Sequence, residues 1–372
     1  MEGSDSKSVS GTVQEKPANY KRISDDDLYR HSSQYRFWSF TPEQLEQKRI
    51  DTNAQAVVSV EERLSAFRDE NNADLTEEEV KTLLEKAVPV TMEEEVKLVN
   101  FYAKKVQGIA QHMNLPTEVV ATSLTFFRRF YLENSVMDID PKTIVHTTIF
   151  LACKSENYFI SVDSFAKKTK SVREAILKHE FKLLESLKFS LLNHHPYRPL
   201  HGFFLDIQNL LTGKVDIKYM GQIYENCKKR ITEALLTDAI YFYTPPQITL
   251  AALLLEDEAL TLKYLETKFK PKEEEAETET EVDEKKKNKK VEDKDNSPKE
   301  DKPESSINYD VLLSLILACK EKIIELPSVT MDDAKNIAAK LYFCNNPMKA
   351  IANSKRKQEE SVSDSGEKKQ KI

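Results

Sequence analysis

Glycine is scarce in this chain, with seven among 372 residues. Rossmann, phosphate-loop and β-rich folds need many turns of positive φ, so the scarcity favours helices joined by short caps. Cysteine is scarcer still. Cys153, Cys227, Cys319 and Cys344 lie far apart and form no CxxC pair. That speaks against a zinc or disulfide framework and reads as reduced core thiols. No run approaches the ~18 apolar residues of a membrane span. The opening MEGSDSKSVSG carries no apolar leader, so a soluble, intracellular protein is expected. Positive charge is in deficit: the net charge is −7 and the pI near 5.7, which argues against a dedicated nucleic-acid binder. No nucleophile–base pair, phosphate loop or metal-ligand cluster stands out. The chain is therefore expected to be no enzyme, to need no cofactor and to hold no metal.

What the chain does have is helical periodicity. Hydrophobic residues make up 40% and charged residues 31%, so part of it packs and part stays solvated. The length suits two domains with tails. From Met92, the residues Val96, Val99, Ala103, Val106, Ala110 and Met113 recur three or four apart. Leu115-Pro-Thr117 restarts the chain, and Val120, Leu124, Phe127 and Tyr131 repeat the pattern. Asp140-Pro141 supplies an N-cap with Pro at the first helical position. The helix that follows is apolar on most sides and should be buried. Ser161 can cap a short helix through Lys168. Ser171-Val-Arg-Glu174 has the form of a capping box opening a helix along Ile176, Leu177, Phe181, Leu184 and Leu187. Asn193-His-His-Pro196 ends it. The adjacent His194 and His195 point apart, so a loop is expected there rather than a metal pair.

A second block runs from about 199 to 342. Ile223 to Tyr243 reads as one long helix, Thr244-Pro-Pro246 restarts the chain, and Ile248 to Leu262 is nearly all apolar. That order mirrors the first block and is a weak internal repeat. Residues 271–303 interrupt it with nine Lys and thirteen Asp or Glu. Such a segment cannot bury a core and is expected to be a disordered insert. Before the repeats, residues 1–40 form a polar tail, mostly disordered, whose Tyr35-Arg-Phe-Trp-Ser-Phe40 cluster holds the only Trp. Residues 41–90 form a helical extension with weak apolar spacing over 43–70, so that helix should lie on a surface. The blocks span 91–198 and 199–345, and 346–372 is a basic tail. Arg128-Arg129 reads as a pair held in solvent or in salt bridges.

These residues resemble the cyclin family. Leu151-Ala-Cys-Lys-Ser-Glu156 looks like the motif at the end of the third cyclin-box helix. His179 to Phe189 looks like the fifth-helix motif, and Phe126 to Val136 like that of the second. Cell-cycle members usually carry Asp where this chain has Arg128, and an Arg-containing docking patch where it has Leu98 to Tyr102. Both departures are similar to the transcriptional branch. The run Arg128 to Val136, with the Tyr35–Phe40 cluster, most resembles the cyclin H type, including fungal members with long second-box insertions.

The resemblance implies an all-α fold of tandem five-helix cyclin boxes with flanking helices. It implies a regulatory subunit that binds and activates the cyclin-dependent kinase of TFIIH, supporting phosphorylation of the RNA polymerase II C-terminal domain. Implied partners are that kinase, a RING-finger assembly subunit and core TFIIH, in the nucleus, with no direct nucleic-acid or membrane binding. Lys154 and Glu180 match the family's kinase-binding pair, whose bland alternative is an exposed ion pair worth ~0–1 kcal/mol. Glu156, Tyr35, Phe37 and Trp38 are further kinase-binding candidates. The aromatic cluster could equally anchor the tail on the chain's own surface. Ser297, before Pro298, is a candidate phosphosite. Lys355-Arg-Lys357 with Lys368-Lys369 is the better import candidate, ahead of Lys285–Lys290, where acids surround the lysines. The alternatives are a cyclin C-like subunit of the Mediator kinase module and, from another class, a DNA-bound factor resembling transcription factor IIB. The latter should carry an N-terminal zinc ribbon, which the cysteine spacing does not supply.

Overall fold

The computed structural model describes residues 28–71, 76–211, 216–270, 308–348 and 352. The charged insert, Ser297, both lysine-rich import candidates and residues 1–27 lie outside the described residues. Among the described residues every regular element is a helix. None is long and apolar enough to cross a membrane, and among the described residues no group of three His, Cys, Asp or Glu could hold a metal ion.

The first repeat comprises α4 (Met92–His112), α5 (Thr117–Glu133), α6 (Pro141–Ser155), α7 (Val162–Thr169), α8 (Arg173–Lys178) and α9 (Glu180–Ser186). Thr91 and Glu94 form a capping box at the start of α4. Asp140 caps α6, with Pro141 at its first position. Residues 119 to 132 of α5 are all buried, and α6 packs against it with Ile144, Ile149, Ala152 and Cys153 fully enclosed. These two central helices explain why their sequences are apolar on most faces.

The second repeat comprises α10 (Tyr197–Leu210), α11 (Ile217–Ala234), α12 (Ala239–Phe242), α13 (Pro245–Glu256), α14 (Glu258–Phe269) and α15 (Tyr309–Ile324). Here α13 takes the central place of α6, packed by α11, α14 and α15. Both central helices open on a Pro after a turn, as the weak repeat in the sequence suggested. One continuous apolar core runs through both repeats.

Flanking helices complete the molecule: α1 (Ser33–Trp38), α2 (Pro42–Glu70), α3 (Glu77–Lys86) and, after the second repeat, α16 (Met331–Asn345). The last packs on α4, helped by a Lys340–Glu94 ion pair.

Several local expectations need correction. α2 is not a free surface helix: Leu45, Asn53, Ala56, Val60 and Leu64 bury one face. Asn53 donates to Val90 O and to Glu95, so a polar residue takes part in that face. The helix expected from Ile223 to Tyr243 breaks after Ala234. Thr237 Oγ1 caps the break by donating to Ala234 O and accepting from Ala239 N. The expected capping box at Ser171 does not form. Ser171 Oγ bonds Thr169 Oγ1 instead, and α8 starts at Arg173 without a side-chain cap. The fifth helix is split at His179 into α8 and α9.

Candidate functional site

Lys154 and Glu180 meet at the rim of the first repeat, where their side chains form an ion pair. Each sits where its helix favours its charge. Lys154 lies in the last turn of α6, at the negative end of the helix dipole. Glu180 is the first residue of α9, at the positive end. The turn that exposes Lys154 is closed by Tyr158 N donating to Cys153 O, with Asn157 at positive φ. The ammonium also lies 4.8 Å from the centre of the Phe150 ring. The Lys154 side chain is 46% exposed and that of Glu180 21%. A pair this open adds little to the fold. Both groups can therefore exchange this partner for other hydrogen-bonding groups.

Exposed aromatic residues lie close in sequence to the pair. Phe159, Phe181 and Phe189 are all strongly exposed. Phe181 is exposed because the buried stripe runs through Ile176, Leu183 and Leu187, which leaves position 181 off that face, with Leu177 and Leu184 at its edge. Phe189 stands edge-on to Phe181 with centroids 6.4 Å apart. Lys188 and Phe189 both adopt left-handed backbone, at φ 54° and 52°. That conformation costs roughly 1–2 kcal/mol for each such residue, and strain of this kind gathers at functional sites. Here it presents an aromatic ring to solvent beside Phe181, the residue that follows Glu180. Large exposed apolar patches mark interaction surfaces.

The remaining candidates do not join the pair. Glu156, the C-cap of α6, turns inward, where its Oε1 accepts from Thr122 Oγ1 at 2.6 Å. Trp38 is 1% exposed and packs with Leu45, Leu132 and Tyr241. The Arg129 guanidinium lies 5.2 Å from its ring centre and the Lys188 ammonium 5.1 Å. The aromatic cluster was expected in a mostly disordered tail, yet residues 33–38 form α1, and Phe40 N donates to Tyr241 O in the second repeat. Trp38 thus takes the anchoring role. Phe37 is half-buried under Lys188, while Tyr35 remains exposed.

Arg128 and Arg129 are buried, not solvated. Arg128 bonds Asp238 across the repeat boundary, and Arg129 bonds Asn193. Burial draws the Arg129 guanidinium down to about 10, because no carboxylate offsets it. His195 is enclosed, and burial, followed by the Arg129 charge, pushes its imidazole down to about 3, so it is neutral. Burial raises the thiols of Cys153, Cys227 and Cys319 to about 11, 12 and 12, which makes them unreactive core groups.

Sequence reasoning had no signal for Phe159, and it placed Phe181 on the apolar stripe although the buried one runs through Ile176, Leu183 and Leu187. The helix split depends on packing. Arg128 was visible as a departure from cell-cycle cyclins, but its acidic partner was not.

The model of the cyclin N-terminal domain matches residues 77–192, and that of the cyclin C-terminal domain matches 195–324. The chain is 63% identical over 359 residues to cyclin CCL1 of Saccharomyces cerevisiae, spanning 96% of this chain and 91% of the relative. It is 35% identical over 247 residues to cyclin mcs2 of Schizosaccharomyces pombe, spanning 66% and 74%. Among solved structures, a chain of the yeast TFIIK (Kin28/Ccl1/Tfb3) complex aligns with TM-score 0.59 at 59% identity, over 79% of this chain and 100% of that one. A chain of the CAK complex from Chaetomium thermophilum, bound to ATP-gamma-S, aligns with TM-score 0.66 at 29% identity, over 92% and 97%.

Proposed function

This chain belongs to the cyclin family, and we propose that it is the non-catalytic subunit that binds and activates the cyclin-dependent kinase of TFIIH. The observation that carries this is the Lys154–Glu180 pair, set at two helix ends, with exposed Phe181 next to Glu180 in the chain. The 63% identity to a yeast cyclin, and the likeness to a chain of the TFIIK complex, support the TFIIH assignment. The same likeness supports a RING-finger assembly subunit as second partner, with core TFIIH beyond it and the nucleus as the site of action.

The mechanism is selection, not chemistry. A protein kinase works only with its β3 Lys paired to its αC Glu. A partner that binds the αC-in state better than the inactive state shifts the population toward it. Inverting a 1:99 population takes about 5.5 kcal/mol of differential binding. A standard-sized interface with aromatic anchors at its centre supplies that much. Lys154 offers three donors and Glu180 an acceptor for the backbone groups of the docked helix. The flanking rings exclude water and strengthen those bonds.

The test is direct. The purified chain is mixed with the TFIIH-type kinase, and binding and phosphorylation of a polymerase C-terminal-domain peptide are measured. Lys154→Ala with Glu180→Ala should weaken both while helicity is unchanged. A folded double variant that still binds and activates fully would sink the assignment. Recovery of a Mediator kinase from nuclear extract would overturn the TFIIH part and leave the cyclin fold standing.

A further inference from the structure

The loop joining the two repeats, residues 191–196 between α9 and α10, is held from several sides. Ser155 Oγ donates to Leu191 O at 3.1 Å. Arg129 donates to Asn193 Oδ1 at 2.7 Å. The Gln34 side chain of α1 makes two bonds to the His194 backbone, donating to O at 3.2 Å and accepting from N at 2.8 Å. Thr249 of α13 donates to Pro196 O at 2.7 Å. The remaining hold is the one that reaches the docking face. His195 Nε2 lies 2.7 Å from Thr122 Oγ1, and Thr122 Oγ1 lies 2.6 Å from Glu156 Oε1.

Donor counting sets the direction of this chain. Thr122 has one hydroxyl proton, and an ionised carboxylate can only accept. The proton therefore goes to Glu156, and Thr122 must accept from His195 Nε2–H. A neutral ring protonated at Nε2 and a charged ring can both make this donation; burial and the Arg129 charge keep the ring neutral. The three groups thus form one directed relay from the inter-repeat loop to the C-cap of α6.

Its end point is the turn that presents Lys154. Glu156 N donates to Ala152 O, Asn157 holds positive φ, and Tyr158 N closes onto Cys153 O. Helix ends open more readily than helix interiors. A side chain anchored inward at the C-cap restrains this one, two residues from the docking lysine. The same anchorage commits the Glu156 carboxylate to Thr122.

We propose that Thr122 and His195 are positioning residues for the kinase-docking end of α6, and that Glu156 acts through this relay and not by touching the kinase. The relay also connects the docking face to α1, because Gln34 and Thr122 grip adjacent residues of one loop. The proposal rests on the kinase-docking reading of Lys154 and Glu180.

A double-mutant cycle tests it. Thr122→Val keeps the shape of the side chain and removes the hydroxyl; Glu156→Ala removes the acceptor. Each should weaken kinase affinity about 10-fold, and the pair together no more than the worse single, as for groups acting in one network. Glu156→Gln keeps an oxygen that accepts from Thr122 and should recover most of the loss seen in Glu156→Ala. Hydrogen exchange at the Asn157 and Tyr158 amides should quicken in Thr122→Val. The proposal is overturned if Thr122→Val lowers thermal stability alone, leaving affinity and exchange at those amides unchanged. It is equally overturned if Glu156→Gln is as weak as Glu156→Ala while Thr122→Val binds normally, since the carboxylate charge would then be contacting the partner. Lys154→Ala with Glu180→Ala separates the two ideas. If that variant binds like the wild type, the docking reading has failed, and the exchange measurement still decides the relay.

Discussion

Arg128 of the first repeat donates to Asp238 of the second at 2.6 Å, with the arginine side chain only 3% exposed. The same guanidinium donates to Asn100 Oδ1 and to Leu236 O. Asp238 also receives a two-pronged bond from Arg49 of α2, at 2.9 and 2.8 Å. One carboxylate therefore ties together the N-terminal extension and both repeats. Burial pushes that carboxyl upward, but the Arg49 hydrogen bonds and the charges of Arg128 and Arg49 outweigh it and hold it below its usual range.

Breaking this junction should be costly. Removing one member of a buried pair typically destabilises by about 3–5 kcal/mol. Arg128→Ala should fall at the low end, because Arg49 still satisfies Asp238. Asp238→Ala should be worse, because it takes the carboxylate from two guanidinium groups at once. Chemical denaturation of the purified variants checks the order, and equal losses would contradict the shared-carboxylate arrangement.

Trp38→Ala should lower stability by about 3–5 kcal/mol, the usual range for emptying a fully buried aromatic site. Tyr35→Ala should change stability by less than about 0.5 kcal/mol, as surface substitutions usually do. Thermal melts distinguish the two. An unaffected melt for Trp38→Ala would mean that α1 is not docked in solution.

Phe181 and Phe189 should behave in the opposite sense. Both are exposed, so replacing them with Ala should leave the melting temperature unchanged. Aromatic anchors at an interface are worth about 2 kcal/mol or more, roughly a 30-fold loss of kinase affinity. Calorimetric titration reads this directly. Unaltered affinity would restrict the docking surface to the ion pair.

Acid should destabilise the fold through His195. Its imidazole sits at about 3 in the folded chain against 6.5 normally, so the unfolded chain binds the extra proton between those values. Its contribution is complete above about pH 6.5 and declines as pH falls toward 3. His146, His179 and His194, also lowered by burial, act in the same direction. Glu95, raised by burial, acts oppositely. The comparison that isolates His195 is the stability–pH slope of His195→Asn against wild type, with the variant expected to be flatter between pH 6.5 and 4.

The sequence by itself determined a good deal. Scarce glycine and three-to-four spacing required helices. Asp140-Pro141 and Thr244-Pro245 marked the starts of both central helices, because capping and a fixed φ act within a few residues. The motifs ending at Glu156 and Phe189 singled out Lys154 and Glu180, which the structure brings together. Tertiary structure alone decided the rest. It split the fifth helix at His179, and it chose Ile176, Leu183 and Leu187 as the buried stripe, which leaves Phe181 in solvent. It paired Arg128 with a residue 110 positions away. It seated Trp38 in the chain's own interior and drew Glu156 away from the Lys154–Glu180 pair toward Thr122. Caps and periodicity are local interactions that a linear reading can count. Ion pairs across repeats and the burial of a lone ring depend on which helices pack together, and no spacing along the chain encodes that.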